Sequence, residues 1–345
     1  MNVPPRSSAL DNPDTERTAS LSELESSMYE TRERRLDFAR PVAKNGYLWW
    51  YVDAISENGD QAMTMIVFVG SVFSPYYARA RKHSPQSAEQ HCAFNTILYG
   101  PGSRKRWSMT ERDSSALTRT QDCYRLGPSE ICWDGESLLA RIDEWCVPWP
   151  RRMQGQIRIT PSAITPHTLL LDIHGRHRWH PIAPIAKVEV DFPGLGVCWT
   201  GEGYLDCNEG SEPLSDGFYG WDWARVRMSE DECTVRYETR PKANQPRRLS
   251  LSFDSEGRIS QAPASDARTL RATDVWRVAR TVPSSADCDD CLERTLEDTP
   301  FYARSLIRSA SDGRHGQGIH ESLSMDRFEK RWVQTLLPFR MPRIS

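Results

Sequence analysis

A stretch of the sequence, residues 174–225, interleaves groups able to act as acids or bases with large aromatic rings. Its members of chemical interest, separated by turn-forming glycine and proline, are His177, Trp179, His180, Trp199, Tyr204, Asp206, Asn208, Glu209, Trp221 and Trp223. A few ionisable groups among apolar and aromatic side chains are typical of a binding or active-site pocket. The chemistry that acid and base groups in such a pocket support is proton transfer.

Asp206 is the candidate acid of this stretch. Residues 203–208 read GYLDCN, and in a strand this alternation places Tyr204, Asp206 and Asn208 on one face. If that face lines an apolar pocket, burial raises the pKa of the Asp206 carboxyl and keeps it protonated near neutral pH. A plainer interpretation is also open, because an aspartate followed by Asn, Glu and Gly often serves only a turn.

The elements that must position these groups are predicted to be strands. Short runs with alternating or apolar patterns recur along the chain between turn signals, as in residues 48–55 and 62–73 around Glu57-Asn58-Gly59-Asp60. The pattern favours an all-β fold with little helix, and the two halves share it. A helix is predicted only near the end, over residues 325–337, with Ser324 as its N-cap and Pro338 as its stop.

Composition excludes several classes of protein. The net charge of -3 over 345 residues shows no excess of basic residues and so does not indicate a nucleic-acid-binding protein. Nine cysteines, an odd number, argue against a disulfide framework, and the single CxxC pair, Cys288 and Cys291, lacks the partners of a zinc site. We therefore expect reduced thiols and no metal. Residues 1–44 are polar without a secretory signal, and we expect a disordered tail there.

Seven sequence blocks resemble one enzyme family, the carotenoid 1,2-hydratases, also called hydroxyneurosporene synthases. They follow one another from about residue 45 to residue 343 and read GYLWWYVDAISENG, MIVFVGSVFSPYYARAR, HCAFNTILYGPG, HRWHPIAP, GYLDCNEGSEPL, TLEDTPFYARSLI and ESLSMDRFEKRWVQTLLPFRMPR. The resemblance implies an all-β fold of two lipocalin-like antiparallel barrels. We place the first over residues 45–190 and the second, with a C-terminal amphipathic segment, over residues 191–345.

The implied reaction adds water across the terminal 1,2 double bond of an acyclic carotenoid such as neurosporene or lycopene. A trisubstituted alkene is a weak base, so a well-placed acid must protonate its less substituted carbon and leave a tertiary cation. Aromatic faces stabilise a desolvated cation by about 2 kcal/mol or more, and a base must take a proton from the captured water. This chemistry needs no cofactor, and the sequence lacks GxGxxG, Walker A and HExxH patterns.

The resemblance carries over to four positions as catalytic candidates. Asp206 is expected to protonate the alkene and Tyr204 to hold or relay the proton. Trp179 is expected to shield the cation, and His177 to orient the water or receive its proton. His180 is able to exchange roles with His177, and the sequence does not rank the two.

Further side chains are candidates for binding the carotenoid. They are His180, Trp199, Asn208, Trp221, Trp223, Tyr76 and Tyr77. For each tryptophan the competing interpretation is a plain core residue. At the level of function two alternatives stay open. One is a lipocalin-like carrier of an apolar ligand, and the other is a cyclase or isomerase on the same scaffold.

The C-terminal run mixes large apolar residues, among them Trp332, Leu336 and Phe339, with several arginines and lysines. This composition is compatible with a segment that touches a membrane surface. We favour the competing expectation that its apolar face packs across the two barrels, as amphipathic helices usually do. The predicted location is cytoplasmic, with room for peripheral contact with the inner, photosynthetic membrane.

Overall fold

The all-β prediction is confirmed by the computed structural model. It describes residues 29–31, 36–102, 104–243, 245–262, 266–284, 292–311 and 314–344. Most of the predicted N-terminal tail and the Cys288–Cys291 pair lie outside these ranges. Within them the chain forms two antiparallel sheets and one separate hairpin.

The first sheet holds thirteen strands of the described chain, which curl so that β5 faces β9. Eleven of them follow the order β5-β4-β3-β2-β13-β12-β10-β9-β8-β7-β6, while β11 pairs with β1 and β12. The strands are β1 (Tyr29–Thr31), β2 (Tyr47–Ser56), β3 (Ala62–Val69), β4 (Cys92–Tyr99), β5 (Lys105–Arg112), β6 (Leu117–Arg119), β7 (Cys123–Leu126), β8 (Ser129–Trp133), β9 (Leu138–Trp145), β10 (Arg152–Pro161), β11 (His167–Leu170), β12 (His177–Phe192) and β13 (Val197–Gly210).

The second sheet has seven described strands in the order β17-β16-β15-β14-β22-β21-β20, and β18 pairs with β19 apart from it. These strands are β14 (Phe218–Ser229), β15 (Glu232–Pro241), β16 (Arg247–Asp254), β17 (Ile259–Gln261), β18 (Asp266–Leu270), β19 (Arg280–Ser284), β20 (Leu292–Asp298), β21 (Tyr302–Ser311) and β22 (Arg314–Ser324). The short helices are α1 (Pro75–Arg81), α2 (Leu214–Gly217), α3 (Met325–Phe328) and α4 (Arg331–Leu336).

One core lies inside the first sheet and a second lies between the two sheets. Strand β2 contributes to both because it is buried on both faces. All ten of its residues are buried. Trp50 and Val52 pack inside the first sheet, whereas Trp49 and Tyr51 join a cluster that includes Trp223 and other side chains of the second sheet. Since side chains alternate along a strand, the same backbone serves both cores. The interface between the sheets is thus lined by alternate residues of β2 and its neighbours.

The change from one sheet to the other occurs later than expected. The predicted boundary at residues 190–191 falls inside β12, and β13 still belongs to the first sheet. The second sheet begins with β14 at Phe218. The sequence alone could not assign the hairpin β12–β13 to one of the sheets, because long strands of this kind are compatible with both. The division of the chain into two lipocalin-like domains stays a prediction.

The C-terminal segment departs from one continuous helix. It forms α3 and α4 with a break at Lys330, and Leu337–Phe339 continues as a 3-10 turn that includes Pro338. Ser324 is the N-cap as predicted, its hydroxyl accepting from the backbone N–H of Arg327. Val333 and Leu337 are buried against the core between the sheets, which agrees with the packing expectation.

Two further observations concern the cysteines and the membrane. Cys123 and Cys132 form a disulfide between β7 and β8, which corrects the expectation of reduced thiols at this pair. Cys207 and Cys233 are free and buried. No helix in the described ranges has the length and apolar character needed to cross a bilayer.

Candidate functional site

Asp206 lies at the centre of the first sheet, on β13 between β2 and β12. Its Oδ2 accepts hydrogen bonds from Trp179 Nε1 at 2.8 Å and from the Tyr204 hydroxyl at 3.0 Å. Its Oδ1 accepts a weaker one from Asn208 Nδ2 at 3.3 Å. The predicted grouping of Tyr204, Asp206 and Asn208 on one strand face is therefore observed, and Trp179 joins it from β12.

The surroundings of Asp206 favour its neutral form. The carboxyl is buried, and burial raises its pKa to about 8, a rise supported by the charges of Glu321 and Asp53. The hydrogen bonds from Trp179 and Tyr204 oppose the rise without cancelling it. All three hydrogen-bond donors are uncharged. At pH 7 the group is mostly protonated, as required of a general acid.

Two adjoining cavities lie next to this carboxyl. The larger, of about 400 Å³, is mostly apolar and is enclosed by both sheets and the C-terminal segment, with Phe68, Trp107, Phe301 and Leu337 among its walls. The smaller, of about 30 Å³, is lined by Asp206. The two share four lining residues, which are Trp49, Tyr51, Trp221 and Glu321. Asp206 thus lines a small cavity that adjoins a larger apolar one.

A second carboxylate, Glu321, reaches the same place from β22 of the second sheet. Arg304 on β21 donates to its Oε1 from Nε at 2.9 Å and from Nη2 at 2.7 Å. A third guanidinium nitrogen of Arg304 donates to the Tyr99 hydroxyl at 2.8 Å. A close arginine contact of this kind stabilises a carboxylate anion. The site therefore combines a neutral carboxyl with a paired carboxylate.

A third buried carboxylate, Asp53, lies beside the cluster on β2, opposite Tyr204 in the strand register. It accepts hydrogen bonds from Arg225 Nε at 2.8 Å and from the Tyr51 hydroxyl at 3.0 Å. Arg225 also donates to Glu202 at 3.0 Å. Burial raises the pKa of Asp53, and the Arg225 guanidinium opposes that rise. This pair ties the two sheets together.

The structure places His177 apart from Asp206. It pairs with Gly210, four residues along β13 from Asp206, a separation of about 13 Å at the rise of a strand. Its Nδ1 lies 2.8 Å from the Tyr47 hydroxyl and its Nε2 3.2 Å from Glu212. Burial lowers the pKa of His177. The ring is held by these contacts, and Tyr47 in turn stacks on the cavity residue Trp49.

Four other predicted binding residues lie away from the cavities among the described residues. His180 bonds the Thr165 carbonyl at 2.9 Å, and burial lowers its pKa to about 4. Trp199 packs against the inner core of the first sheet. Tyr77 is buried in that same core, where its hydroxyl donates a hydrogen bond to the Gly46 carbonyl oxygen. Tyr76 precedes Tyr77 on helix α1. The remaining three, Asn208, Trp221 and Trp223, do line the small cavity.

Sequence reasoning missed several residues that line the cavities. They are Trp49, Tyr51, Tyr237 and Glu321. Alternation in LWWYVD would have put Trp49, Tyr51 and Asp53 on one strand face. Glu321 carried no comparable signal, because its place depends on the pairing of β22 with β14 and on how the two sheets meet.

Solved structures resemble the chain over most of its length. A candidate AttH protein from Nitrosomonas europaea matches with a TM-score of 0.54 and 15% identity, covering 81% of this chain and 92% of its own. CghA bound to Sch210972 matches with a TM-score of 0.53 and 12% identity, covering 86% and 98%. At these identities the matches bear on the fold alone, and they confirm the predicted lipocalin-like architecture.

Sequence relatives are closer. The chain is 44% identical over 308 residues to the acyclic carotenoid 1,2-hydratase of Rubrivivax gelatinosus and 43% identical over 304 residues to that of Thiocapsa roseopersicina. These alignments cover 89% and 88% of this chain and 75% of each relative. The model of the carotenoid hydratase CrtC family matches residues 65–345. The chain therefore belongs to the carotenoid hydratase CrtC family, as its sequence blocks predicted.

Proposed function

We propose that this protein hydrates the terminal 1,2 double bond of acyclic carotenoids such as neurosporene and lycopene to 1-hydroxy carotenoids. The observation that carries the proposal is a buried carboxyl, Asp206, whose surroundings favour its protonated form and which lies beside an apolar cavity lined by aromatic rings. Membership of the hydratase family supports the reaction type. The apolar walls suit the hydrocarbon chain of the substrate.

The acidic proton belongs on Oδ1 of Asp206. Its Oδ2 already accepts two hydrogen bonds, from Trp179 and Tyr204, and a carboxyl oxygen that accepts two such bonds acts as the carbonyl oxygen. When Oδ1 delivers its proton to the less substituted alkene carbon, negative charge develops on the carboxylate. The same two donors stabilise that charge, so Trp179 and Tyr204 act on the acid itself.

Aromatic faces around the acid are in place to stabilise the tertiary cation. Trp49, Tyr51 and Trp221 line both cavities, and Trp223 and Tyr237 line the small one. Trp179, which was expected to shield the cation, donates its N–H to Asp206 and meets Tyr237 edge to face at 5.5 Å. Cation–π attraction in a desolvated site contributes about 2 kcal/mol or more.

His177 enters the proposal as a positioning residue. Its ring is hydrogen-bonded to the Tyr47 hydroxyl, and Tyr47 stacks on Trp49 with ring centroids 4.9 Å apart. Replacing His177 would therefore loosen one wall of the cavity. Direct proton transfer between His177 and the captured water is not supported by its distance along the sheet from Asp206.

The reaction is tested by incubating the purified protein with detergent-solubilised lycopene or neurosporene and following the products by mass spectrometry. We expect the wild type to add one water per reacted end. The Asp206→Asn variant, with its fold checked by circular dichroism, should be roughly 100-fold slower or worse because it lacks the general acid. Equal hydration by both proteins would reject Asp206 as the acid. Carotenoid binding without hydration by the wild type would favour the carrier, and a rearranged product without added water would favour the cyclase or isomerase.

We propose further that the substrate enters from a membrane surface through the C-terminal segment. Phe339 is 74% exposed, Trp332 47% and Leu336 42%, and Phe339 and Leu336 also line the large cavity. Exposed apolar side chains beside arginines suit the boundary of an anionic bilayer.

Flotation with anionic lipid vesicles tests this entry. The wild type should float with the vesicles, and Trp332→Ser with Phe339→Ser should lose most of that binding. Trp149→Ser serves as the matched control, because Trp149 is 83% exposed and outside the segment. Unchanged flotation of the double variant would reject this face as the membrane contact.

A further inference from the structure

The small cavity beside Asp206 has the size and the polar walls of a water site. Its volume of about 30 Å³ exceeds the roughly 10–15 Å³ of probe-occupied space that one water requires. Polar residues reach it from both sheets, with Asp206 and Asn208 on β13 and Glu321 on β22. It adjoins the large cavity at Trp49, Tyr51, Trp221 and Glu321. A molecule held there would be next to a ligand in the large cavity.

Two residues that line this small cavity each carry a buried side-chain polar atom without a protein partner among the described residues. These atoms are Trp223 Nε1, a donor, and Asn208 Oδ1, an acceptor. Trp223 is 4% exposed and Asn208 5% exposed. Buried polar groups are almost always hydrogen-bonded, and a buried water typically bonds about three of them. An unpaired donor and an unpaired acceptor in one cavity are what a water would satisfy.

The two carboxyl groups of the small cavity differ in their partners. Asp206 has three neutral donors, whereas Glu321 is held by the Arg304 guanidinium. Both bonds from Arg304 end on Oε1 of Glu321, so its Oε2 lies outside that ion pair. A neutral acid and a charged base are therefore built into the same cavity wall. Pairs of carboxyls with opposite protonation divide acid and base roles in this way.

We propose that the small cavity holds the water that captures the cation, and that Glu321 accepts the proton of that water. Trp223 Nε1 and Asn208 Oδ1 hold the water in place. This inference rests on the proposed hydration and names the base that the reaction lacks. It assigns the role that His177 was expected to fill to a residue of the other sheet.

The steps balance as follows. The Asp206 proton forms a C–H bond with the alkene electron pair, which leaves a tertiary cation and the Asp206 anion. The water oxygen forms the C–O bond, and its released proton passes to the Glu321 carboxylate. That proton then returns to Asp206, so the net change is one water added to one double bond.

Other groups that face Glu321 are compatible with this role. Arg304 is the cation next to it. The phenols of Tyr51, Tyr237 and Tyr302 lie close enough to interact electrostatically with Glu321, and burial raises the pKa of each well above its usual value, so these groups stay neutral. The charge of Glu321 in turn helps to raise the pKa of Asp206. Removing that charge should therefore lower the pKa of Asp206.

Hydration in D₂O tests the proposal, because it separates protonation of the alkene from capture by water. The Glu321→Gln variant should still form the cation, which returns to alkene instead of being captured. We expect hydration to fall roughly 100-fold. Deuterium should accumulate in the recovered carotenoid or in its double-bond isomer. The ratio of deuterated alkene to alcohol should rise at least about tenfold, in line with the loss of a general base.

Control variants fix the meaning of each outcome. Asp206→Asn should show neither hydration nor deuterated alkene. Glu202→Gln removes another carboxylate that pairs with a buried arginine, Arg225, and should behave like the wild type. Glu321→Asp retains the charge and should recover part of the hydration. A wild type that adds no water would overturn the proposed function itself, whereas the results of the Glu321 variants bear on the role of Glu321 alone.

Two results would overturn the proposal while leaving the hydration standing. One is wild-type hydration by Glu321→Gln. The other is a parallel loss of hydration and deuterium exchange in Glu321→Gln, with its fold intact. If Glu321→Gln does not fold, Trp223→Phe takes its place, since it removes the indole N–H that holds the water and keeps an aromatic ring in the cavity wall. It should reduce hydration about tenfold with the same rise in deuterated alkene, as expected for one hydrogen bond, and unchanged hydration would refute the water site.

Discussion

Asp206 and Asp53 are both buried carboxyl groups at the interface of the two sheets, yet their partners differ in charge. Asp53 meets the Arg225 guanidinium and the Tyr51 hydroxyl. Asp206 meets Trp179, Tyr204 and Asn208, which are neutral. An arginine compensates a buried charge, whereas neutral donors leave the neutral form favoured. The partner, more than the burial, therefore separates a structural ion pair from a proton donor.

The largest effect is expected from removing the cation of the ion pair. Arg225→Met leaves Asp53 buried and uncompensated, which should destabilise the protein by about 3–5 kcal/mol. Thermal or urea unfolding measures the loss. The double variant Arg225→Met with Asp53→Asn should recover part of it, because neither partner then carries an unpaired charge. A single variant as stable as the wild type would contradict the structural role of the pair.

A second prediction concerns how stability depends on pH. The folded pKa of Asp206 is about 8, above its ordinary value of 3.8, so between these values the native state binds more protons than the unfolded state. The contribution of Asp206 is present at low pH and is lost as pH rises toward 8. Wild-type stability should fall relative to Asp206→Asn by at most about 1.4 kcal/mol per pH unit.

Unfolding midpoints of both proteins at pH 5, 6, 7, 8, 9 and 10 measure this difference. The gap between them should change steadily and become constant above pH 8. A gap that is independent of pH would mean that Asp206 has an ordinary pKa in the folded protein. In that case it would resemble a compensated carboxylate and the contrast with Asp53 would disappear.

The smallest effect is expected from Tyr204→Phe. The Tyr204 hydroxyl lowers the pKa of Asp206, so its removal should move the alkaline limit of activity to higher pH. It also removes one donor that stabilises the Asp206 anion, and hydration should slow about tenfold. The pH dependence of hydration by wild type and variant measures both changes. A shift toward lower pH would show that Tyr204 does not act through Asp206.

The sequence predicts one half of this comparison better than the other. Alternation in GYLDCN is a local property, so it correctly grouped Tyr204, Asp206 and Asn208. The roles of Asp53 and Glu321 depend on Arg225 and Arg304, which arrive from the second sheet, far along the chain. Strand pairing across such distances leaves no local pattern.

The same limit explains the binding residues placed away from the cavities. Tyr77 and Trp199 are aromatic residues in strand-rich regions, and their sequence does not tell which core they face. His177 lies two residues before Trp179, a hydrogen-bond partner of Asp206, in the motif HRWHP, but the register of β12 and β13 offsets it from Asp206. Residue type suggested a chemistry for the site, which stays a proposal, whereas strand pairing decides which side chains meet there.

The pH dependence of carotenoid hydration by the wild type tests the central claim most directly, namely that Asp206 reacts as a neutral acid. Because the protonated form is the active one and the pKa is about 8, the rate should be highest below pH 8 and fall about tenfold per pH unit above it. A rate that instead rises as pH passes through 8 would show that the ionised carboxylate is the active form, and it would contradict the account.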